Sequence, residues 1–345
     1  MARKKRYSIQ DIARELNTSS STISRALQDS PRISLKMRQA AQELARQHNY
    51  VPDFRASSLR KGNGRTIGVL VPKIDRYFFS TVLSGIDEIA APAGYSVLIC
   101  QSFESYEKES LLVRNLMNGR VDGLIASISI ETKKVQHFNN FISRELPLVF
   151  FDRVCDSIKA SKVVLDDYRG ACLTVEHLIE NGCRNIAHFA GPQHINVYKN
   201  RTRGFVDTMK KHDLRVDNNL IFHNTITRET GCEAMQKILT MPQKPDAIYS
   251  SGDYSALGAI LCAREAGIRV PQEMAFTGFA NEPWDSFFDP PLTSVDQHAF
   301  EIGKQAASLL LQQIEGKDTG FVPKTIVIEP ELVIRKSSIR DTGPA

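Results

Sequence analysis

Polar side chains near the N-terminus have the types and the spacing that hydrogen bonding to the base edges of DNA requires. Residues 19–28 predict a short helix whose inward positions are Ile23, Ala26 and Leu27. Its outward and flanking positions are Ser19, Ser20, Ser21, Ser24, Arg25, Gln28 and Arg32. An arginine can donate two hydrogen bonds to guanine O6 and N7, and short hydroxyl groups can serve several bases. This face has the chemistry of a DNA-reading surface, although a small helical subdomain with a polar face has the same pattern.

Two further helices are predicted around this one. An apolar stripe at helical spacing runs from Ile9 to Leu16. Asn17 ends that stripe, because Asn tolerates the left-handed backbone of a tight turn, and Ser19 is a suitable N-cap for the second helix. A third helix begins near Ser34. Three short helices with a three-residue turn between the first two are typical of a helix-turn-helix domain, whose second helix enters the major groove.

Charge is divided unevenly along the chain. The net charge of the 345 residues is +5, but residues 1–61 hold 13 lysines and arginines against 5 acidic residues. The head therefore carries +8 and the remainder −3. A basic head on a mildly acidic body is the electrostatic pattern of a nucleic-acid-binding module attached to another domain. A solvated basic face gives the same count.

The segment from Ser8 to Leu27 resembles the N-terminal motif of the LacI/GalR family of bacterial transcription factors. The likeness rests on Asp11-Ile-Ala and on Ser19-Ser-Ser-Thr-Ile-Ser-Arg25, with Asn17 where the family usually has Gly. It continues through residues 66–72 and covers nearly the whole chain. The resemblance implies an operator-binding helix-turn-helix followed by a periplasmic-binding-protein-like domain that senses a small polar metabolite.

Residues 53–61 are expected to form a hinge. The segment Ala56-Ser-Ser-Leu59-Arg60 is similar to the family's hinge helix, with Asp53 where the family usually has Asn. A polar helix of this length is marginal in water, so its order must come from a partner. Ala56 and Leu59 share a face, and two such segments of a dimer could pack together in the minor groove. The resemblance implies that Leu59 inserts between base pairs. In the absence of DNA, the same segment is expected to be a flexible linker.

After residue 62, short β-rich runs alternate with amphipathic helical patterns. The predicted strands are 67–71, 96–100, 122–127, 147–152, 163–166, 185–190, 246–250 and 274–279. The predicted helices are 79–93, 106–118, 169–181, 200–212, 229–240 and 254–266. This rhythm is typical of parallel sheets and is too long for one sheet, so we expect two lobes, with late strands in 321–335 returning across both.

The expected fold class is therefore α/β with a small all-α head. A three-helix helix-turn-helix DNA-binding domain is predicted at residues 1–52, and the hinge helix and linker at 53–65. A two-lobed, periplasmic-binding-protein-like domain with parallel sheets, which binds the effector and dimerises, is predicted at 66–340.

Loops at the carboxyl ends of the predicted strands supply a candidate ligand cleft, because ligands of open parallel sheets bind there. These loops contain Phe78, Phe79, Asp152, Arg153, Arg201, Asp253 and Asn281. The resemblance implies that the two phenylalanines flank an effector, that Asp152 accepts its hydroxyl protons, and that Arg201 forks onto its oxygen atoms. It also implies that Asp253 orients the effector from the second lobe. Ordinary roles stay open: helix core for Phe79, a lobe-to-lobe salt bridge for Arg153 and a helix N-cap for Asp253.

One departure from the family bears on the effector. The family commonly has Asp directly after the Gly-Phe that matches Gly278-Phe279, and this chain has Ala280 followed by Asn281. Two cleft guanidiniums, Arg153 and Arg201, would then lack one negative partner. This favours a sugar acid or sugar phosphate over a neutral sugar, since arginine binds carboxylates and phosphates in bidentate fashion. The amide of Asn281 could still bond sugar hydroxyls.

Several classes of protein are disfavoured. The longest apolar runs are strand length, and no apolar stretch follows the basic N-terminus, so neither a membrane span nor export is expected. The six cysteines lack metal-binding spacing, and no phosphate-loop, nucleophile-elbow or zinc-protease motif occurs. We expect a cytoplasmic protein that is not an enzyme and needs no metal or cofactor.

The expected partners are a pseudo-palindromic double-stranded DNA operator, a small-molecule effector (a sugar, sugar acid or sugar phosphate) and a second copy of the chain. A homodimer is expected, with a higher oligomer open, because one three-helix head reads only a few base pairs. A cytosolic sugar-binding protein or sensor without an operator is the alternative.

Overall fold

The first of two compact units is a bundle of three short helices. The computed structural model describes residues 7–50, 64–316 and 322–340, and the chain divides into units of residues 1–64 and 65–345. The helices are α1 (Ile9–Glu15), α2 (Ser20–Leu27) and α3 (Leu35–Gln47). Their shared core consists of Ile12, Ala13, Ile23, Ala26, Ala41 and Ala45. The predicted three-helix head is confirmed.

Local backbone chemistry sets the ends of these helices. Asn17 has a φ of 47°, the left-handed conformation that the turn between α1 and α2 requires. Ser19 caps α2, because its Oγ accepts a hydrogen bond from the backbone N–H of Thr22 at 3.2 Å. The loop after α2 is tied to α3 by Arg38, whose Nη1 donates to Asp29 Oδ1 at 2.6 Å.

The second unit alternates strands and helices. Its helices are α4 (Tyr77–Ala90), α5 (Tyr106–Asn118), α6 (Gln136–Ile142), α7 (Asp167–Glu180), α8 (Asn196–Lys211), α9 (Arg228–Leu239), α10 (Asp253–Glu265) and α11 (Ala299–Glu315). Its strands are β1 (Thr66–Val71), β2 (Ser96–Gln101), β3 (Gly123–Ala126), β4 (Leu148–Phe151), β5 (Ser161–Leu165), β6 (Ile186–Phe189), β7 (Ile221–Phe222), β8 (Ala247–Ser250), β9 (Ala275–Thr277), β10 (Ser294–Asp296), β11 (Thr325–Ile328) and β12 (Glu331–Val333). Every predicted strand matches an observed strand, with ends that differ by no more than two residues.

Two parallel sheets form two lobes, as predicted. The first lobe contains six strands in the order β11-β5-β4-β3-β1-β2, and the second contains four in the order β7-β6-β8-β9. Three passages connect the lobes: after β5, between β10 and α11, and between β11 and β12. The late strands only partly follow expectation, because β11 joins the first sheet whereas β12 pairs antiparallel with β10 outside the second sheet.

Helix α11 was not assigned from the sequence, and it fills one face of the first lobe. It packs against α4 so closely that a Cβ on Gly85 would collide with the carbonyl oxygen of Phe300. A Cβ on Gly303 would in turn collide with the carbonyl oxygen of Val82. The two glycines let the helix backbones touch, and the buried side chains around them form one core with β1 and β4.

Within the described residues, no helix combines the length and the apolar character needed to span a bilayer. All six cysteines carry free thiols, and Cys172, Cys183 and Cys262 are buried.

Candidate functional site

The outward face of α2 is polar and accessible. Arg25, Gln28 and Arg32 are exposed, while Ser20 and Ser24 are partly exposed. Among the described residues, no group holds the Arg25 side chain in a hydrogen bond or ion pair. An unpaired guanidinium on a helix face is available to an external acceptor such as a guanine edge or a phosphate.

The serines at the start of α2 have different roles. Ser19 Oγ lies 2.8 Å from Ser21 Oγ and 2.9 Å from Thr22 Oγ1, in addition to capping the helix. Ser19 therefore positions the first turn of α2, and Ser21 presents a hydroxyl that is already oriented by a neighbour. The hinge candidates Ala56 and Leu59 lie outside the described residues.

Arg201, on α8 of the second lobe, is buried among side chains of that lobe and the segment after β10. It is 5% exposed, and its Nε donates to Asp167 Oδ1 at 2.8 Å. Its Nη1 donates to the carbonyl oxygen of Ser251 at 2.7 Å, and its Nη2 donates to Gln297 Oε1 at 3.1 Å. The guanidinium also stacks on Phe279, 3.6 Å from the ring centroid. Arg201 thus joins α8, α7, the end of β8 and the segment after β10.

Arg153 is buried and is paired with a partly exposed carboxylate of the first lobe. Its Nη1 donates to both carboxylate oxygens of Glu104, at 3.0 and 2.8 Å. Its Nη2 reaches Tyr198 Oη of the second lobe at 3.5 Å. Glu104 and its predecessor Phe103 have φ values of 64° and 55°, so the loop after β2 adopts a strained course that presents this carboxylate.

The premise that the cleft guanidiniums lack a negative partner is therefore wrong. Glu104 neutralises Arg153, and Asp167 neutralises Arg201. Asp152 adds a third carboxylate, 3.9 Å from Arg153 Nε, and accepts a hydrogen bond from Ser127 Oγ at 3.1 Å. Burial raises the pKa of Asp152 in spite of Arg153, and burial raises the pKa of Asp167 to about 6 against the opposing effect of Arg201.

Asp253 organises the loop after β9 instead of facing open space. It is the first residue of α10, and the N-cap position belongs to Gly252. Its Oδ2 accepts from the backbone N–H of Glu282 at 3.1 Å, and its Oδ1 accepts from Ser294 Oγ at 2.7 Å. Asn281, in the same loop, bridges the lobes' connecting segments by donating to Asp296 and accepting from Arg335.

The two candidate phenylalanines differ in position. Phe79 packs edge-to-face on Phe151 and belongs to the core of the first lobe. Phe78 lines a cavity of about 330 Å³, whose wall also contains Ala280, Asn281 and Gln297. Its remaining lining residues are Tyr77, Thr81, Asp296, His298, Ala299, Phe300 and Glu301. Because Gln297 binds Arg201, the cavity wall is directly connected to the buried ionic network.

Side chains of α8 and the loop before it also contact the first lobe directly. Asn196 of the second lobe donates to the carbonyl oxygen of Asp152 and accepts from the backbone N–H of Val154, both at 2.9 Å. His194 Nε2 lies 2.6 Å from the carbonyl oxygen of Ile130. Tyr198 packs with first-lobe side chains in one apolar cluster. The lobes are therefore closed on each other along this side.

Sequence reasoning missed Glu104, Asp167 and Tyr198. Glu104 follows β2 and Asp167 follows β5, so the strand-end rule that found Asp152 could have found both. Tyr198 lies in the first turn of α8, where an aromatic residue gives no signal of its own.

Each of the two units matches a known family model. Residues 8–53 match bacterial regulatory proteins of the lacI family, and residues 175–338 match the periplasmic binding protein-like domain. The HTH-type transcriptional repressor CytR of Escherichia coli (strain K12) is 31% identical over 332 residues, which cover 96% of each chain. The HTH-type transcriptional repressor PurR of Actinobacillus pleuropneumoniae serotype 3 (strain JL03) is 29% identical, covering 95% of this chain and 97% of PurR.

Solved structures give the same architecture. A lac repressor dimer bound to operator and the anti-inducer ONPF matches with a TM-score of 0.85 and 24% identity, over 97% of this chain and all (100%) of that chain. A complex of the transcriptional regulator CelR with cellobiose matches with a TM-score of 0.74 and 24% identity, over 96% and 100%.

Proposed function

The chain belongs to the lacI family of bacterial regulatory proteins, and from this premise we propose that it is a transcriptional repressor whose hold on an operator is controlled by a small molecule. The observation that carries the proposal is the exposed face of α2, where Arg25 has no partner among the described residues.

In the proposed complex, α2 lies in the major groove. Arg25 and Gln28 read base edges, the hydroxyls of Ser20, Ser21 and Ser24 contact bases or phosphates, and Arg32 contacts the backbone. Ser19 positions these side chains by holding the first turn. Ala56 and Leu59 are proposed for the minor groove, where Leu59 acts as a wedge between base pairs. An operator is bound where the chromosome is, so the protein acts in the cytoplasm.

The effector is proposed to bind between the lobes of the second unit, as a sugar or sugar derivative. Phe78 and Asn281 line the cavity and would contact it directly. Behind the wall, Arg201 is bonded to Gln297, Arg153 pairs with Glu104 and Asp152, and Asp253 holds the loop that carries Asn281. Phe79 supports Phe78 with an edge-to-face contact at 5.2 Å. A ligand that changes how the lobes close would change this network, and the network would transmit its binding.

A homodimer is proposed because a pseudo-palindromic operator needs two heads. The edge strand β2 of the first lobe supports this, since Leu98 and Ile99 are each 48% exposed, and Phe103, just after the strand, is 59% exposed. Apolar side chains on an unpaired edge strand are a liability unless another chain covers them. We expect the Ile99→Glu variant to shift the purified protein from dimer to monomer in light scattering.

The test is selection from a random DNA library with the full-length chain, followed by fluorescence anisotropy on the enriched site. The proposal predicts a two-fold symmetric site that binds far more tightly than shuffled DNA. Enrichment of no sequence would contradict it and would favour the alternative, a sugar-binding sensor without an operator.

A further inference from the structure

A second cavity, of about 410 Å³, lies at the amino-terminal ends of β4 and β5 in the first lobe. Leu148 and Ser161, the first residues of these strands, line it. The loops proposed to hold the effector follow the opposite ends of parallel strands, where Asp152 comes directly after β4. A parallel strand rises about 3.3 Å per residue, so Leu148 and Asp152 are roughly 13 Å apart along β4. We propose that this cavity is a second ligand site, separate from the cleft, which takes a free α-amino acid with an apolar side chain.

Gln313 gives the observation that points to a ligand. It lies on α11, is 8% exposed and lines the cavity. Its buried amide Nε2 has no hydrogen-bond partner among the described residues. A buried donor that is left unsatisfied is unfavourable, so native proteins rarely contain one without a bound partner or a function. An acceptor atom of a molecule in the cavity would complete this hydrogen bond.

Two further donors belong to the segment around the start of β5. The fully buried Ser161 Oγ accepts from the backbone N–H of Lys324 at 3.1 Å, and its hydroxyl group can donate in turn. Lys159 adds an exposed ammonium group to the lining. A carboxylate can accept from amide, hydroxyl and ammonium donors together, because its two oxygens have about four acceptor sites. The donor set therefore favours a ligand that bears a carboxylate.

The charges of the lining are balanced. Lys159 is the one cation and Glu145 the one anion among the lining residues, and neither has an ion-pair partner in the described part of the chain. A ligand with a single charge would match only one of the two, whereas a zwitterion matches both. In an α-amino acid, the carboxylate would meet Lys159 and Gln313, and the ammonium group would meet Glu145.

The rest of the wall is apolar and suits the side chain of such a ligand. Its members are Ile142, Leu146, Pro147, Leu148, Ala160 and Pro323. Burying an apolar side chain against this surface would add to affinity in proportion to the area removed from water. The volume of the cavity is within the range of about 300–1,000 Å³ that small-molecule sites have. The wall therefore favours an apolar amino acid over a polar one.

Calorimetry of the full-length protein with leucine, methionine and phenylalanine tests the ligand class. We expect saturable binding of at least one of them, with one molecule per chain. The matched controls are the fragments that lack either charged group, which for leucine are 4-methylpentanoate and 3-methylbutylamine. Each fragment should bind roughly tenfold or more weakly than its amino acid. No binding of any of the three, or a fragment that binds as tightly as its amino acid, would overturn the proposal.

Charge variants locate the bound amino acid. Glu145→Gln should weaken the amino acid roughly tenfold and leave the carboxylate fragment unchanged, whereas Lys159→Gln should weaken both. A merely structural role of either loop would not separate the two ligands in this way. Lys133→Gln, at another exposed lysine of the first lobe, is the matched control and should change neither. Binding that survives both charge variants, or that is abolished by Asn281→Ala in the wall of the cavity beside Phe78, would overturn the proposal.

Gln313→Met separates an amide that binds a ligand from one that only supports the fold. Methionine is of similar length and leaves no buried donor, so the thermal midpoint without amino acid should not fall, while binding should weaken roughly tenfold. A lower midpoint with unchanged binding would overturn the proposal. If Gln313→Met does not fold, Glu145→Gln and Lys159→Gln still decide the question, because both residues are exposed. None of these measurements uses operator DNA, so their outcome is independent of the proposed repressor function.

Discussion

Arginine has opposite surroundings in the two units of this chain. Arg25 on α2 is exposed and unpaired among the described residues, whereas Arg201 in the second unit is 5% exposed and has three acceptors within 3.1 Å. The first arrangement suits a side chain whose partner comes from outside the protein. The second suits a side chain that holds elements of the protein together. The same residue type therefore holds elements together in the second unit, whereas in the first we propose that it recognises DNA.

The largest effect should come from removing the buried arginine. Arg201→Ala leaves Asp167 buried without its cation, which costs about 3–5 kcal/mol of unfolding free energy. Trp284 is the only tryptophan of the chain and lies in the second lobe, so its fluorescence in urea reports this unit. Pairing Arg201→Ala with Asp167→Asn should restore part of the loss. A loss below about 1 kcal/mol in the single variant would show that Arg201 is not a structural link.

Arg25→Ala should have the opposite effect: it should weaken operator binding and leave the free energy of unfolding nearly unchanged. The free energy of unfolding should change by less than about 0.5 kcal/mol, because the substitution removes an exposed side chain that has no partner among the described residues. Operator binding should weaken by about 1–3 kcal/mol, with little change on random DNA. Anisotropy on both DNAs measures the difference, and Arg14→Ala, on the exposed side of α1 where Arg14 pairs with Asp11, is the control. Equal weakening on both DNAs would make Arg25 a phosphate contact.

The same contrast separates what could be predicted from the sequence from what could not. The face of α2 could be predicted because exposure follows from helical periodicity, and the strands could be predicted because parallel strands are continuous apolar runs. Arg153, which follows β4, and Arg201, which lies on α8 after β6, could be found by the strand-end rule. Their partners could not be paired with them, because Glu104 and Asp167 are 49 and 34 residues away and only the fold brings them together. An unbalanced charge inferred from one missing aspartate at position 280 was wrong for this reason.

A smaller effect is expected on the pH dependence of stability, through the buried carboxyl group of Asp285. Burial, followed by the neighbouring carboxylate of Asp253, raises the pKa of Asp285 to about 10. Between about pH 4 and pH 10 the folded chain therefore holds a proton that the unfolded chain has lost. Stability should fall as pH rises, by up to about 1.4 kcal/mol per pH unit from this group. Asp285→Asn should remove that slope, because the amide can donate to Asp253 at every pH.

Urea unfolding of wild type and Asp285→Asn between pH 7.5 and 9, followed by Trp284 fluorescence, measures the difference in slope. This window lies above the raised pKa of Glu282, which burial brings to about 7. Glu282→Gln is the control and should keep the wild-type slope in the window. Parallel stability curves for wild type and Asp285→Asn would show that Asp285 is ionised in the folded protein.

The smallest effect concerns the turn that sets the angle of the recognition helix. Asn17 has a φ of 47°, a conformation that costs most L-residues about 1–2 kcal/mol and glycine almost nothing. Asn17→Ala should therefore destabilise the first unit by about 1 kcal/mol, and Asn17→Gly by a few tenths at most. Amide hydrogen exchange of the full-length chain separates residues 7–50 from the second unit, whose protection should not change. Because Asn17 is not among the residues proposed to contact DNA, operator affinity should fall only as far as the folded fraction of the head falls. Equal exchange in the Ala and Gly variants would mean that the side chain of Asn17, and not its backbone conformation, determines the turn.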